Sequence, residues 1–300
     1  MAGTDKKISA KTTKTDMKKL LSDPKYRIEL HELVQEQTKA TYKSVENLNV
    51  QAGGDVLPEA QKAIIEFEST TSELRMTMAY GCYFGTPDQA YLWGNALTQL
   101  STIPQLAGSV FLLKLQLYPA LLVFYTGGLA ALAAKNTTNL KAIFNVKSND
   151  NNSEPHALVI SANCTMLDQN AGNQIFKTER LKTPLSDHLF KLFDDKPLKE
   201  LAFGQDFAQL FDEWEILIGM VFADILKDNK SGFNGWAPVG RFSWRGQYSG
   251  GSTLKSIKKQ LAEDKPDWTP LKAGLFNGDV ERARAALDVV ENIADKVSFF

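Results

Sequence analysis

The sequence predicts an all-α fold: an irregular array of helices around a buried apolar helix broken at Pro119, with at most one short strand pair. Three observations carry this. Apolar residues recur at three- and four-residue spacing in one segment after another. Those segments open on Asp-Pro, Thr-Pro or Asn caps and close on breaks rich in Gly and Asn. Only one stretch has the composition of a strand, where an average soluble chain would place about a fifth of its residues in strands.

Taken in order, residues 1–21 read as a flexible basic tail, or as a linker if another module precedes them. Residues 22–300 read as a single helical domain. Asp23 followed by Pro24 caps the first helix. Its apolar stripe runs through Tyr26, Leu30, Leu33, Val34, Gln37, Thr41 and Val45. Pro58 opens a second helix, with Ile64, Phe67, Thr71, Leu74 and Met78 on one face. The stretch GCYFGTPD reads as a turn, and Thr86-Pro87 caps a third helix that runs to about Leu100. Pro104 to Ala134 follows, divided at Pro119 because proline removes a donor and crowds the preceding turn. Asn136 to Asn139 breaks the chain and caps one more short helix.

Residues 148–155 form the clearest surface loop and the candidate sub-boundary. HALVISANCTMLD then fits a strand, although its alternation is imperfect. Thr183-Pro184 caps a helix with Leu185, Leu189, Leu192 and Phe193 on one side. A long apolar helix spans about Phe207 to Lys227. The segment from Trp236 to Ser252 is irregular. A polar helix follows from Leu254 to Glu263, then a loop around Asp267 to Pro270, and a last amphipathic helix capped near Asp279.

Leu115 to Ala134 holds twenty residues without a formal charge. That meets the length rule for a bilayer span. Pro119, Gln116, Thr126 and the Gly127-Gly128 pair lower its hydrophobicity, and the surrounding amphipathic helices need a common buried surface. A soluble core helix is therefore expected, with a membrane as the competing reading. The net charge of −1 speaks against a general nucleic-acid surface. Cys82 and Cys164 provide no disulfide framework, though a single bridge between them stays open, and a reducing cytoplasm is the simpler location. The opening residues carry no apolar run of the signal-peptide kind.

Chemistry is sparse. His31, His156 and His188 are isolated from one another and from the cysteines, so no metal site is expected. No nucleophile elbow, phosphate loop or dinucleotide fingerprint occurs, so neither catalytic residues nor a cofactor are assigned. Arg27 and His31 read as a surface pair on one helix face, and the aromatic residues of Tyr80 to Gly85 as packing. One constellation stands out. Glu215 and Asp224 lie on the most apolar helix, and Trp236, Arg241, Trp244 and Arg245 follow in the irregular segment. Buried acids need partners, and arginine offers a fork that fits a carboxylate and stacks on an aromatic ring. The cluster reads either as an ion-pair lock between loop and helix or as a recognition pocket.

Three blocks carry a resemblance: YPALLVFYTGGLAALAAKN, FDEWEILIGMVFADI with WAPVGRFSWR, and KAGLFNGD. With the opening DPKYRIELHELV, they resemble the helical C-terminal half of poorly characterised bacterial proteins. The N-terminal half of those proteins is often a sirtuin-like or a Schlafen/AlbA-like module. The resemblance spans roughly residues 22 to 297 and implies a regulatory, sensing or assembly role in prokaryotic antiviral defence. The partner it implies is an effector, supplied upstream in the chain or as a separate protein. Two other classes stay open: an enzyme acting on nucleic acid or a nucleotide through a site assembled in space, and a membrane-perturbing effector acting through Leu115 to Ala134.

Overall fold

The computed structural model describes residues 14–51, 54–104, 107–149, 155–194, 198–202, 206–228, 235–245, 253–263 and 267–298. Among these, the strand content is one antiparallel pair of two residues each. β1 (Lys147–Ser148) faces β2 (His156–Ala157), with Ser148 opposite His156. The fold is all-α.

Helix starts before the sequence places it. Within the stretch read as a tail, α1 covers Lys14–Ser22, and its Met17 and Leu21 are buried against the core. Asp23 then caps a 3₁₀ turn by accepting from the Lys25 N–H, and α2 (Arg27–Glu46) continues from it. The expected second helix is two, α3 (Leu57–Thr70) and α4 (Ser72–Phe84). They part at Thr71, whose hydroxyl donates to the Phe67 carbonyl at 2.7 Å, a back-bond that bends helices. Gly81 to Phe84, read as a turn, is helical. Gly81 is there because the Trp93 ring lies on it: a Cβ would stand 2.3 Å from the ring. Thr86 and Gln89 form the capping box that leads into α5 (Ala90–Leu100).

The central stretch is α6 (Val110–Leu115) and α7 (Tyr118–Ala133). The break falls at Gln116 and Leu117, and Pro119 sits in the first turn of α7, where its missing N–H costs no hydrogen bond. Every residue from Tyr118 to Ala131 is buried. A helix apolar on all sides has to be surrounded, and α7 is packed by α4, by α8 (Thr137–Phe144) and by α13 (Phe207–Asp228) among others. Val110 to Ala133 is long and apolar enough to cross a membrane, yet 94% of its most apolar window is buried within the chain's own fold.

Past α8 the structure departs from the strand reading. Only His156 and Ala157 are extended, and Leu158–Ser161 turns into the short helix α9. Asp168 caps a helix that the apolar spacing did not signal, α10 (Gln169–Ile175). Then follow α11 (Pro184–Phe193), α12 (Leu198–Leu201), α14 (Phe242–Arg245), α15 (Thr253–Glu263), α16 (Thr269–Lys272) and α17 (Val280–Ser298). The expected loop at 267–270 is thus partly α16, with Trp268 buried behind it. Most of the candidate sub-boundary, residues 150–154, lies outside the described residues. The core runs as one cluster from Met17 to Ala294 on both sides of it.

Glycine in a helix interior costs stability unless something needs the space. Gly94 in α5 is such a vacancy: a Cβ there would meet only the Ala142 carbonyl oxygen at 3.6 Å. Gly94→Ala is expected to stabilise the protein by about 0.5–1 kcal/mol. Urea denaturation checks this, and a lowered midpoint would contradict it.

Candidate functional site: a strap fastened by buried acids

The segment from Gly235 to Arg245 runs back along α13, antiparallel to it. Trp236 sits edge-on to Phe222, with ring centroids 5.3 Å apart. The Pro238 carbonyl lies over Gly219, where a Cβ would come within 2.8 Å of it. Gly240 lies on Glu215, so closely that a Cβ would fall 1.9 Å from Oε2. The chain needs glycine on one side of each of the last two crossings, and Pro238 keeps the strap out of helix. Ala237 to Arg241 is buried, and Ser243 then turns the chain into α14 by bonding back to the Gly240 carbonyl.

A polar cluster fastens the end of this strap to α11 and α13. Ser186 is its hinge: its oxygen accepts the Arg241 N–H at 2.8 Å, and its hydroxyl donates to Glu215 Oε2 at 2.7 Å. The Tyr125 hydroxyl donates to Glu215 Oε1 at 3.3 Å. One turn away, Thr183 donates to Asp187 Oδ2 and accepts from the Trp244 indole, both at 3.0 Å. The Arg241 guanidinium lies 3.3 Å from the centre of the Phe190 ring, and Arg245 lies 6.0 Å from it.

Burial dominates the electrostatics. Loss of water pushes the Glu215 carboxyl up to about 8, against the opposing pull of the Ser186 hydrogen bond. The same cause raises Asp212 to about 6 and moves Asp187 upward, although Arg241 attracts both. Arg241 is itself shifted down, first by burial and then by the like charge of Arg245. The charged form is thus disfavoured on both sides of the cluster, which is the ordinary cost of charge away from water.

The six residues singled out in the sequence therefore divide. Glu215, Arg241, Trp244 and Arg245 meet at the α11–α13 end of the strap. Glu215 has no ion pair with Arg241; the Ser186 and Tyr125 hydroxyl groups bond its carboxyl, and burial favours its protonated form. Asp224 is not part of the cluster. It takes a two-pronged bond from Arg282 on α17, at 2.9 and 2.8 Å, and Arg282 also reaches Asp228 at 2.6 Å. Trp236 stands at the far end, 43% exposed. Ser186, Thr183, Asp187 and Asp212 escaped the sequence reading. Asp212 carried the same signal as Glu215, a carboxylate on a strongly apolar helix.

A second polar cluster joins residues distant in sequence. Glu68 Oε1 accepts from the Tyr118 hydroxyl at 2.8 Å and lies 2.6 Å from His188 Nε2. Phe176 stacks on the His188 ring at 4.0 Å. Cys82 and Cys164 are both free and buried. Among the described residues, no three of His, Cys, Asp and Glu gather as a metal ion would require.

Ser186 is fully buried and Glu215 is 1% exposed. A substrate would have to displace the strap to reach them. Compared with protein-family models, curated proteins and solved structures, this chain finds no match.

Proposed function

We propose that this chain is a sensing or assembly module that binds a protein partner and thereby controls an effector, and that it is not itself an enzyme. The observation that carries this reading is Trp236. Its ring is 43% exposed, held edge-on by Phe222 at one end of a strap whose other end is fastened by buried hydrogen bonds. A large aromatic side chain presented on a fixed backbone is the kind of residue that dominates protein interfaces. Trp244 and Arg245 are half-buried at the other end of the same strap. The resemblance to helical halves of bacterial proteins suggests the setting: a cytoplasmic defence system whose effector is an upstream domain or a separate protein. A membrane-perturbing role has less support, because α6 and α7 would have to leave the core.

Trp236→Ala is expected to abolish co-elution with the product of the adjacent gene on size exclusion. Its urea midpoint should stay within about 1 kcal/mol of wild type, since half of the ring is already in water. Undiminished co-elution of the folded variant would refute this surface. The alternative of an enzyme acting on nucleic acid or a nucleotide draws on one observation, the Glu68–His188 pair, in which a carboxylate orients an imidazole.

A further inference from the structure

A cleft of about 470 Å³ opens on the side of α13 opposite Glu215, between the end of α7, α15 and α16. That volume lies within the range of small-molecule sites, about 300–1,000 Å³. Leu132, Leu210, Leu217 and Ile257 supply its apolar surface, and Trp268 closes one wall. Two ionic groups of opposite sign complete it, Lys135 and Glu213. A third, Asp206, is committed elsewhere, accepting the Ala208 N–H at 2.8 Å as the cap of α13.

Lys135 is in an unusual position. The end of α7 closes as a Schellman turn, with Asn136 N–H bonding to the Ala131 carbonyl at 2.8 Å and Lys135 N–H to the Leu132 carbonyl at 3.0 Å. The residue at the pivot takes a left-handed backbone and is usually glycine. Here it is Lys135, with φ of 52°. A Cβ in that conformation costs about 1 kcal/mol or more. Lys135 keeps this strain, is exposed, and lines the cleft. Among the described residues that ammonium forms no ion pair. Glu213 is half-buried and accepts from Gln209 at 3.0 Å, which fixes its carboxylate.

We propose that this cleft binds a small zwitterion with an apolar body, of the amino-acid class. Lys135 takes the carboxylate, Glu213 takes the ammonium group, and the leucine and isoleucine surface takes the side chain. Lys135 attracts the Glu213 carboxylate, so the two groups form a charge pair that a ligand with matched opposite charges completes without leaving a net charge in the partly dry site. This inference goes beyond the partner-binding reading and does not rest on it, since the cleft and Trp236 share no residue.

Calorimetric titration of the whole chain with L-leucine and L-phenylalanine tests it. Either amino acid should bind. 4-Methylpentanoate, which lacks the ammonium group, and isoamylamine, which lacks the carboxylate, should each bind at least about tenfold more weakly than leucine, as expected for one lost charge-assisted contact. Glu213→Gln and Lys135→Gly should weaken binding by a similar factor. Lys135→Gly should at the same time raise the thermal midpoint, because it relieves the backbone. That combination separates lost binding from lost folding, and Trp236→Ala should leave binding unchanged. The proposal is overturned if neither amino acid binds at about 10 mM, a weak-binding limit. It is equally overturned if isoamylamine matches leucine or if folded Lys135→Gly binds as well as wild type.

Discussion

Glu215→Gln is expected to make the protein more stable at pH 8 and to remove most of the pH dependence of its stability between pH 5 and 8. In the folded chain the Glu215 carboxyl titrates at about 8, against 4.5 in its ordinary state. An acid whose folded pKa is raised gives up its proton first in the unfolded chain. Its contribution to stability is therefore fully present below about pH 4.5 and is lost as pH rises toward 8. A shift of this size corresponds to on the order of 5 kcal/mol. Asp212, raised from 3.8 to about 6, acts in the same direction over a lower window. The groups around Glu215 are Tyr125 on α7, Ser186 on α11, Asp212 on α13 and Arg241 on the strap; burial and Asp212 favour the protonated form, against the Ser186 and Tyr125 hydrogen bonds and the charge of Arg241. Glutamine keeps an acceptor for Ser186 and carries no charge at any pH. Urea unfolding at pH 5, 6, 7 and 8 checks this. Wild-type stability that is flat or rising over that range would show that Glu215 is already ionised in the fold.

Gly128→Ala should cost about 3 kcal/mol or more, enough to leave little folded protein. A Cβ at Gly128 would lie 2.0 Å from Trp214 Cη2 and 2.1 Å from Cζ2, far inside contact distance. Neither side can retreat. Gly128 lies in the middle of α7, and the Trp214 ring is also held by Phe124 and Phe144, with centroids 5.1 and 5.2 Å away. Adding Trp214→Phe to Gly128→Ala should restore part of the loss, because the smaller ring vacates the position. The same added methyl group should stabilise α5 at Gly94 and break the packing of α7 at Gly128. Calorimetric melting of the three variants decides it, and a Gly128→Ala protein that melts like wild type would contradict the α7–α13 contact.

The helices were legible because their signals are local. Asp23, Thr86 with Gln89, and Asn136 each cap the helix that begins beside them, and the apolar stripe of α2 buries Leu30, Val34, Gln37, Thr41 and Val45. The burial of Leu115 to Ala134 followed from the need of neighbouring helices for a shared core. The turn expected at Gly81 failed because glycine marks both turns and close approaches, and only the distant Trp93 distinguishes them. Partners across the fold were out of reach for the same reason. Asp224 finds Arg282 and Glu68 finds His188 through packing that no local spacing encodes. Glu215 is buried on its apolar helix, and two hydroxyl groups, of Ser186 and Tyr125, stand where an arginine was expected.

The buried acids are expected to fasten the strap and to carry out no reaction. The most direct test is turnover. Repurified wild type, Glu215→Gln, Ser186→Ala and His188→Gln would be incubated with NAD, ATP, RNA and DNA, with and without a divalent metal. No product above the buffer control is expected from any of the four proteins. Product formed by wild type that is lost in folded Glu215→Gln or Ser186→Ala would make the fastening a reaction centre. Product lost in folded His188→Gln would place one at Glu68 and His188, and either result would contradict this expectation.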